Sequence, residues 1–257
     1  MRLSLLGPID RWLAPAPPSG RVDWIRGARF AHRGLHGGGL GENSPGAFAA
    51  ALARGMGIEC DVQKTADGQA MVFHDFELDR LTAETGPVAA RSAEQLGQIT
   101  LREGGDPIPT LRKLLDQVAG QVPLLIEIKT RKERPVAQVC LAVRRVLEGY
   151  IGPHAVMSFD PRVVRWFASH APDCRRGLVM TEEHDRGFLG MLRRHLFLWQ
   201  ARPQFLAYDI RDLPSGFAAA QRARGLPLLT WTVRSRDLQA RAALHADAPI
   251  AEGDGVT

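Results

Sequence analysis

The sequence predicts an α/β chain folded as a (β/α)8 barrel. From residue 28 onward, apolar runs of strand length alternate with helical patterns. About eight such runs occur, each apolar nearly throughout, as expected of parallel strands buried on both faces. Polar and titratable residues collect where those runs end, and barrel enzymes place their chemistry at the C-terminal ends of strands. A chain of 257 residues matches the ~250 residues of one such barrel. A doubly wound open sheet is the alternative, but no G-x-G-x-x-G loop follows the first strand.

The first strand is "RFAHRG", followed by the helix "SPGAFAAALARG", opened by Ser44 with Pro45 in its first turn and closed by Gly55 and Gly57. "IECDVQKT" and "QAMVFHD" read as strands joined by the turn "ADG", a hairpin-like pair. Residues 76–109 are irregular apart from a helix near "SAEQLGQI", which makes them an excursion from the regular architecture. "TLRKLLDQVAG" is then helical. The alternation resumes with the strands "VPLLIEIKT", "HAVMSFD", "CRRGLVM", "FLAYDIRD" and "PLLTWTV", each followed by a helix. The last of these helices, "RDLQARAALHA", looks truncated. No internal repeat or linker appears, so one domain is expected over 28–257, preceded by a lead-in over 1–27.

The formal charge of +5 and pI near 9.5 come almost wholly from arginine, because Lys64, Lys113, Lys129 and Lys132 are the only lysines. The arginines are spread over several helices, which argues for a generally basic surface and against a nucleic-acid patch. Three cysteines, Cys60, Cys140 and Cys174, lack paired spacing and read as free thiols in a reducing compartment. In the lead-in, the apolar core is short, Pro8 breaks it, and Asp10 and Arg11 follow. It reads as a short amphipathic helix and a Pro-rich stretch rather than a signal peptide. No run of ~18 apolar residues is present, so no transmembrane span is expected. A cytoplasmic protein is expected, with peripheral membrane contact through the lead-in left open and no signal for an oligomeric state.

The strand ends carry His32-Arg33, Glu59-x-Asp61, His74-Asp75, Glu127-x-Lys129, Ser158-x-Asp160, Asp209 and Trp231. Glu59 and Asp61 are two apart on a strand, so they point to one face. Two buried carboxylates need a cation. A hard divalent ion such as Mg²⁺ or Ca²⁺ takes oxygen ligands of this kind, and pairing with arginine is the alternative. Glu127 can complete the metal set while Lys129 reaches an anionic substrate oxygen; a mutual salt bridge is the plainer reading. His32 and His74 are candidates for general base and general acid. Arg33 suits two-point phosphate binding. Glu42 joins either the metal set or the histidine network. Asn43 and Ser44 read as helix caps, and the "GGGLG" loop lacks nucleotide-binding spacing.

The blocks "AHRG", "ENSPGAFAAALARG", "IECDVQKTADGQAMVFHD", "LDRLTAETG", "IPTL", "LLIEIK", "SFD" and "WTV", in that order over most of 28–233, resemble the glycerophosphodiester phosphodiesterase family. The last region matches more loosely: Arg234 stands where asparagine is frequent, and "ADAPIAEGD" replaces the acidic closing motif. The resemblance implies a (β/α)8 barrel with a small insertion after the third strand, here residues 76–109, and metal-dependent hydrolysis of glycerophosphodiesters to sn-glycerol 3-phosphate and an alcohol. It implies His32 and His74 as the acid/base pair, and Glu59, Asp61 and Glu127 as ligands of one divalent ion with Glu42 near it. It further implies Arg33 and Lys129 on the phosphate and Trp231 on the glycerol side. The nucleophile can be a substrate hydroxyl, giving a cyclic phosphate, or a water. The competing readings are a lysophospholipase D-type enzyme at a membrane surface and a non-enzymatic phosphate-ester-binding barrel.

Overall fold

A computed structural model describes residues 6–183 and 185–256. Its helices are α1 (Gly7–Leu13), α2 (Pro45–Ala53), α3 (Ala93–Gly97), α4 (Leu111–Val118), α5 (Ala137–Leu147), α6 (Pro161–His170), α7 (Phe188–Ala201), α8 (Gly216–Ala223) and α9 (Arg236–His245). Its strands are β1 (Phe30–Ala31), β2 (Gly57–Lys64), β3 (Ala70–Val72), β4 (Leu124–Ile128), β5 (His154–Ser158), β6 (Arg175–Met180), β7 (Phe205–Asp209), β8 (Leu228–Val233) and β9 (Ala248–Ala251). Residues 1–5 of the expected lead-in lie outside the described residues.

The fold is a (β/α)8 barrel, whose eight staves are β1, β2, β4 and β5 through β9. Two expectations are corrected here. The run "QAMVFHD" forms the expected hairpin, β3 lying antiparallel to β2 with Val62 opposite Val72, and so it does not count among the eight staves. The eighth stave is β9, which follows α9, so that helix does not end the barrel. β9 escapes pattern reading because it has four residues and contains Pro249, which donates no ladder hydrogen bond. Its pairing with β8 shifts register between Thr230 and Val233, the kind of irregularity that accommodates such a residue.

Residues 30–154 form one compact unit. β2 is buried along nearly its whole length and runs parallel to both β1 and β4. Ser44 caps α2 by accepting from the Ala47 N–H at 3.0 Å, with Pro45 next in line, as the sequence predicts. The insertion has a small core of its own, in which Leu78, Val88, Leu96, Ile99, Leu101 and Ile108 pack on Met71 and Phe73 of the hairpin. That apolar contact explains how a stretch with one short helix stays ordered. α3 is closed by a capping box between Ser92 and Gln95.

The second unit comprises residues 155–257 and the segment through Arg29. Its strands β5 to β9 pair in parallel, each with the next. α1 is fastened to α7 through Asp10, which is buried. Its carboxylate accepts from Trp199 Nε1, His195 Nδ1 and Gln221 Nε2, each at 2.8 Å. Cys60 and Cys140 are buried free thiols, and Cys174 is a half-buried one. No helix among the described residues is long and apolar enough to cross a membrane.

Candidate active site

The carboxylates meet because of strand register. Glu59 and Asp61 share one face of β2, and Asp61 stands opposite Glu127 in the parallel pairing of β2 with β4. All three are buried, and one oxygen from each lies within 4.8 Å of the others. Lys129 follows on the same face of the β4 line, its N–H donating to Val62 O at 2.9 Å. Its ammonium lies 2.9 Å from Glu127 Oε1, 3.6 Å from Asp61 Oδ1 and 3.3 Å from His74 Nε2.

β1 stops at Ala31, and Arg33 takes a left-handed backbone with φ of 55°. Strand alternation therefore lapses at the turn, and Arg33 reaches the carboxylates beside His32. Its N–H donates to Glu59 Oε2 at 3.0 Å and its guanidinium to Glu42 Oε1 at 2.8 Å. Nε approaches Asp61 Oδ2 to 3.2 Å without hydrogen-bond alignment. Arginine and lysine thus pair with Asp61 and Glu127, as the plainer readings foresaw. Glu59 is held differently: it accepts from the Arg33 N–H and has His32 Nε2 at 4.0 Å.

Titration behaviour follows from this arrangement. Burial, with Asp61 and Glu127 nearby, pushes Glu59 well above the ordinary carboxylate range. Burial acts on Asp61 in the same sense, but Lys129 and Arg33 outweigh it and hold Asp61 below that range. Burial opposes the Lys129 charge, yet Glu127 and Asp61 raise it to about 12. His74 is lowered, chiefly by burial and then by Lys129 and Arg33.

His74 is held from behind. Its Nδ1 is 2.6 Å from Asp75 Oδ1. With Nδ1 as donor to that carboxylate, Nε2 is left as the acceptor facing Lys129. Gln63 Nε2 donates to the carbonyls of both Phe73 and Asp75, at 2.9 and 2.5 Å, and so pins the chain on either side of the histidine.

Arg80, a residue to which sequence reasoning assigned no role, binds Asp75 through Nε at 2.6 Å and Nη2 at 2.8 Å. It also donates to both oxygens of Glu42, at 3.0 and 2.8 Å. Glu42 therefore stands in the histidine network, linked through Arg80 and Asp75 to His74. Arg80 lies in the insertion, where no periodicity marks it; its place in "LDRLTAETG" is the only trace in the sequence.

Asn43 also has a larger part than a helix cap. In left-handed backbone with φ of 56°, it donates from Nδ2 to Asp61 Oδ2 at 2.9 Å and accepts from the Asp61 N–H at 3.2 Å. Two strand-end acids have structural partners. Asp160 caps α6 and binds Arg162, while Asp209 binds Arg211 and accepts its N–H. In the second unit, the Trp231 indole donates to Ala207 O at 3.1 Å and its ring meets Phe159 edge-on at 5.3 Å. Glu252, just past β9, accepts from Arg234 at 2.6 Å.

The sequence profile of the glycerophosphoryl diester phosphodiesterase family matches residues 32–249. The chain belongs to that family. It is 26% identical over 220 residues to YhdW of Bacillus subtilis, a proposed glycerophosphodiester phosphodiesterase, covering 82% of this chain and 88% of the relative. It is 37% identical over 109 residues to a glycerophosphodiester phosphodiesterase of Bacillus altitudinis, covering 40% of this chain and 44% of the relative. An Oleispira antarctica phosphodiesterase, solved with its product sn-glycerol-3-phosphate, shares the fold at a TM-score of 0.76 and 20% identity, over 88% of this chain and 93% of the other.

Proposed function

We propose that this family member hydrolyses glycerophosphodiesters to sn-glycerol 3-phosphate and an alcohol, with a divalent ion held by Glu59, Asp61 and Glu127. The observation that carries the reading is the buried three-carboxylate cluster with Arg33, Lys129, His32 and His74 around it. The residues suit a hard divalent cation: every donor is a carboxylate oxygen, and burial together with repulsion from Asp61 and Glu127 disfavours the charged form of Glu59. Mg²⁺ and Ca²⁺ both meet that description. Such an ion, when bound, supplies neutralisation of phosphodiester charge.

Arg33 and Lys129 bind phosphate oxygens and stabilise the charge that grows on them as the nucleophile attacks. Glu42, Asp61 and Glu127 hold these two cations in place beside the site. One histidine takes a proton from the attacking hydroxyl, and the other gives a proton to the departing alcohol oxygen. Asp75 and Arg80 hold the His74 ring with Nε2 toward the site. Net, the bond from phosphorus to the alcohol oxygen breaks, and water supplies a hydroxyl to phosphorus and a proton to the alcohol. Trp231 is assigned to the glycerol side from the family resemblance.

The test is a panel of water-soluble glycerophosphodiesters, assayed with and without chelator. Release of sn-glycerol 3-phosphate that stops with EDTA and returns with Mg²⁺ or Ca²⁺ is expected; full activity in metal-stripped protein overturns the metal assignment. For the phosphate contacts, Arg33→Lys and Lys129→Met should each weaken inhibition by glycerol phosphate, by about 1.5–3 kcal/mol as for hydrogen bonds to charged groups. Unchanged inhibition constants in both variants would place the phosphate elsewhere.

A second reading, action on lysophospholipids at a membrane surface, draws on α1 and α7. Ile9 and Trp12 of α1 and Phe188, Leu189 and Leu196 of α7 are exposed, Trp12 to 80%. Activity on lysophospholipid micelles with none on soluble diesters would establish it.

A further inference from the structure

A cavity of about 660 Å³ opens beside Lys129, walled by the end of β2, the insertion, the loop after β4 and the start of α5. Its charged lining is Lys64, Lys129, Arg131 and Arg134 against the one carboxylate of Glu77. Arg131 is already engaged: it pairs with Glu77 at 2.9 Å and lies 4.5 Å over the Phe76 ring. That engagement ties the loop after β4 to the insertion and builds a wall. It also neutralises Glu77, and Lys64 and Arg134 remain as further cations of the lining, with Asp67 near enough outside it to feel the Lys64 charge. The Lys64 ammonium donates to the carbonyl of Thr65, a neutral partner, at 3.0 Å.

Lys129 lines this cavity and also belongs to the proposed phosphate site, so the two adjoin at that residue. A substrate whose phosphate meets Lys129 can direct a substituent into the cavity. The volume falls in the usual range for small-molecule sites, about 300–1,000 Å³. It is therefore open to groups much larger than a lone glycerol.

We propose that this cavity receives the alcohol portion of the diester and selects alcohols that carry their own anionic group, such as a second phosphate, over cationic ones such as choline. The inference rests on the phosphodiesterase reading and names its substrate class. The reaction is unchanged: water adds across the bond from phosphorus to the alcohol oxygen, and the alcohol leaves with its anionic group intact. Lys64 and Arg134 meet that group, while apolar Phe76, Pro87 and Val139 line the path to it.

The test compares kcat/KM of the metal-loaded protein on 1,3-bis(glycerophospho)glycerol, glycerophosphoglycerol and glycerophosphocholine. These offer an anionic, a neutral and a cationic alcohol. After division by two for its two equivalent scissile bonds, the first should exceed glycerophosphocholine by about tenfold at low ionic strength, and salt should erode the advantage. The double variant Lys64→Gln, Arg134→Gln should bring the ratio toward unity. Equal values in the wild type, a preference for the choline ester, or an unchanged ratio in the double variant would each overturn the proposal. Should no diester turn over, the phosphodiesterase reading falls instead. The cavity is then judged by calorimetric titration with 1,3-bis(glycerophospho)glycerol: weaker binding in the double variant is expected, and equal binding overturns the inference.

Discussion

Arg80 holds Asp75 with one edge of its guanidinium and Glu42 with the rest, so one side chain orients both the support of His74 and the partner of Arg33. At the scale of single residues, His32→Ala and His74→Ala should each lower kcat by ~10²–10⁴, as for lost acid/base groups. Near-normal turnover in either variant removes that residue from the mechanism. Arg80→Gln should lower kcat more than it raises KM, because it frees the His74 ring, while Glu42 keeps its bond from Arg33. A fall confined to KM would contradict the positioning role. The pH dependence of stability gives a second reading of the same contact. Hydrogen bonds from Arg80, with His74 adding to them, hold Asp75 down to about 2, below its value in the unfolded chain. Its contribution is therefore fully present above about pH 4 and is lost as pH falls through the folded value. The stability gap between wild type and Arg80→Gln should accordingly be constant from pH 5 to 7 and narrow below pH 4. A gap that widens in acid would mean that another group dominates.

At the scale of elements, the turn after β1 and the seat of α1 carry the sharpest constraints. Gly34 has φ of +77°, and a Cβ there would lie 2.9 Å from both Ala47 Cβ and Phe48 Cδ1. The turn that aims His32 and Arg33 is thus packed directly on α2. Gly34→Ala should cost about 2–4 kcal/mol from left-handed backbone plus overpacking, read as a lower denaturant midpoint. A neutral substitution would mean that α2 shifts freely. On α1, Asp10→Ala leaves the donors of His195, Trp199 and Gln221 without their shared acceptor. A loss of about 2–4 kcal/mol is expected. If Asp10→Ala unfolds at the wild-type midpoint, the helix contributes nothing to the stability of its unit.

At the scale of the whole molecule, an ion held by the carboxylate cluster as proposed would couple binding to stability. An ion that binds the folded chain at a hundred times its Kd adds about 2.7 kcal/mol. For a protein of this size that corresponds to roughly 5–10 °C in Tm. Thermal scans with and without Mg²⁺ or Ca²⁺ check this without reference to turnover, and Glu59→Gln should abolish the shift. A shift that survives Glu59→Gln would place the ion elsewhere.

The residues themselves marked the candidate site: alternation on β2 puts Glu59 and Asp61 on one face, and apolar runs ending in His, Glu and Lys mark strand ends whatever the partner strands. The α2 cap at Ser44 and the barrel class were legible for the same reason, since both depend on short-range pattern. The β2–β3 hairpin was legible too, from the "ADG" turn, but only the tertiary structure decided that its second arm is no stave and that β9 is one, because a short apolar run does not show whether it joins the barrel. The tertiary structure alone set Asp61 opposite Glu127, brought Arg80 across to Glu42, and gave Asn43 the Asp61 side chain to hold. Those contacts join residues 18, 38 and 66 positions apart, and no local periodicity encodes a distance of that kind.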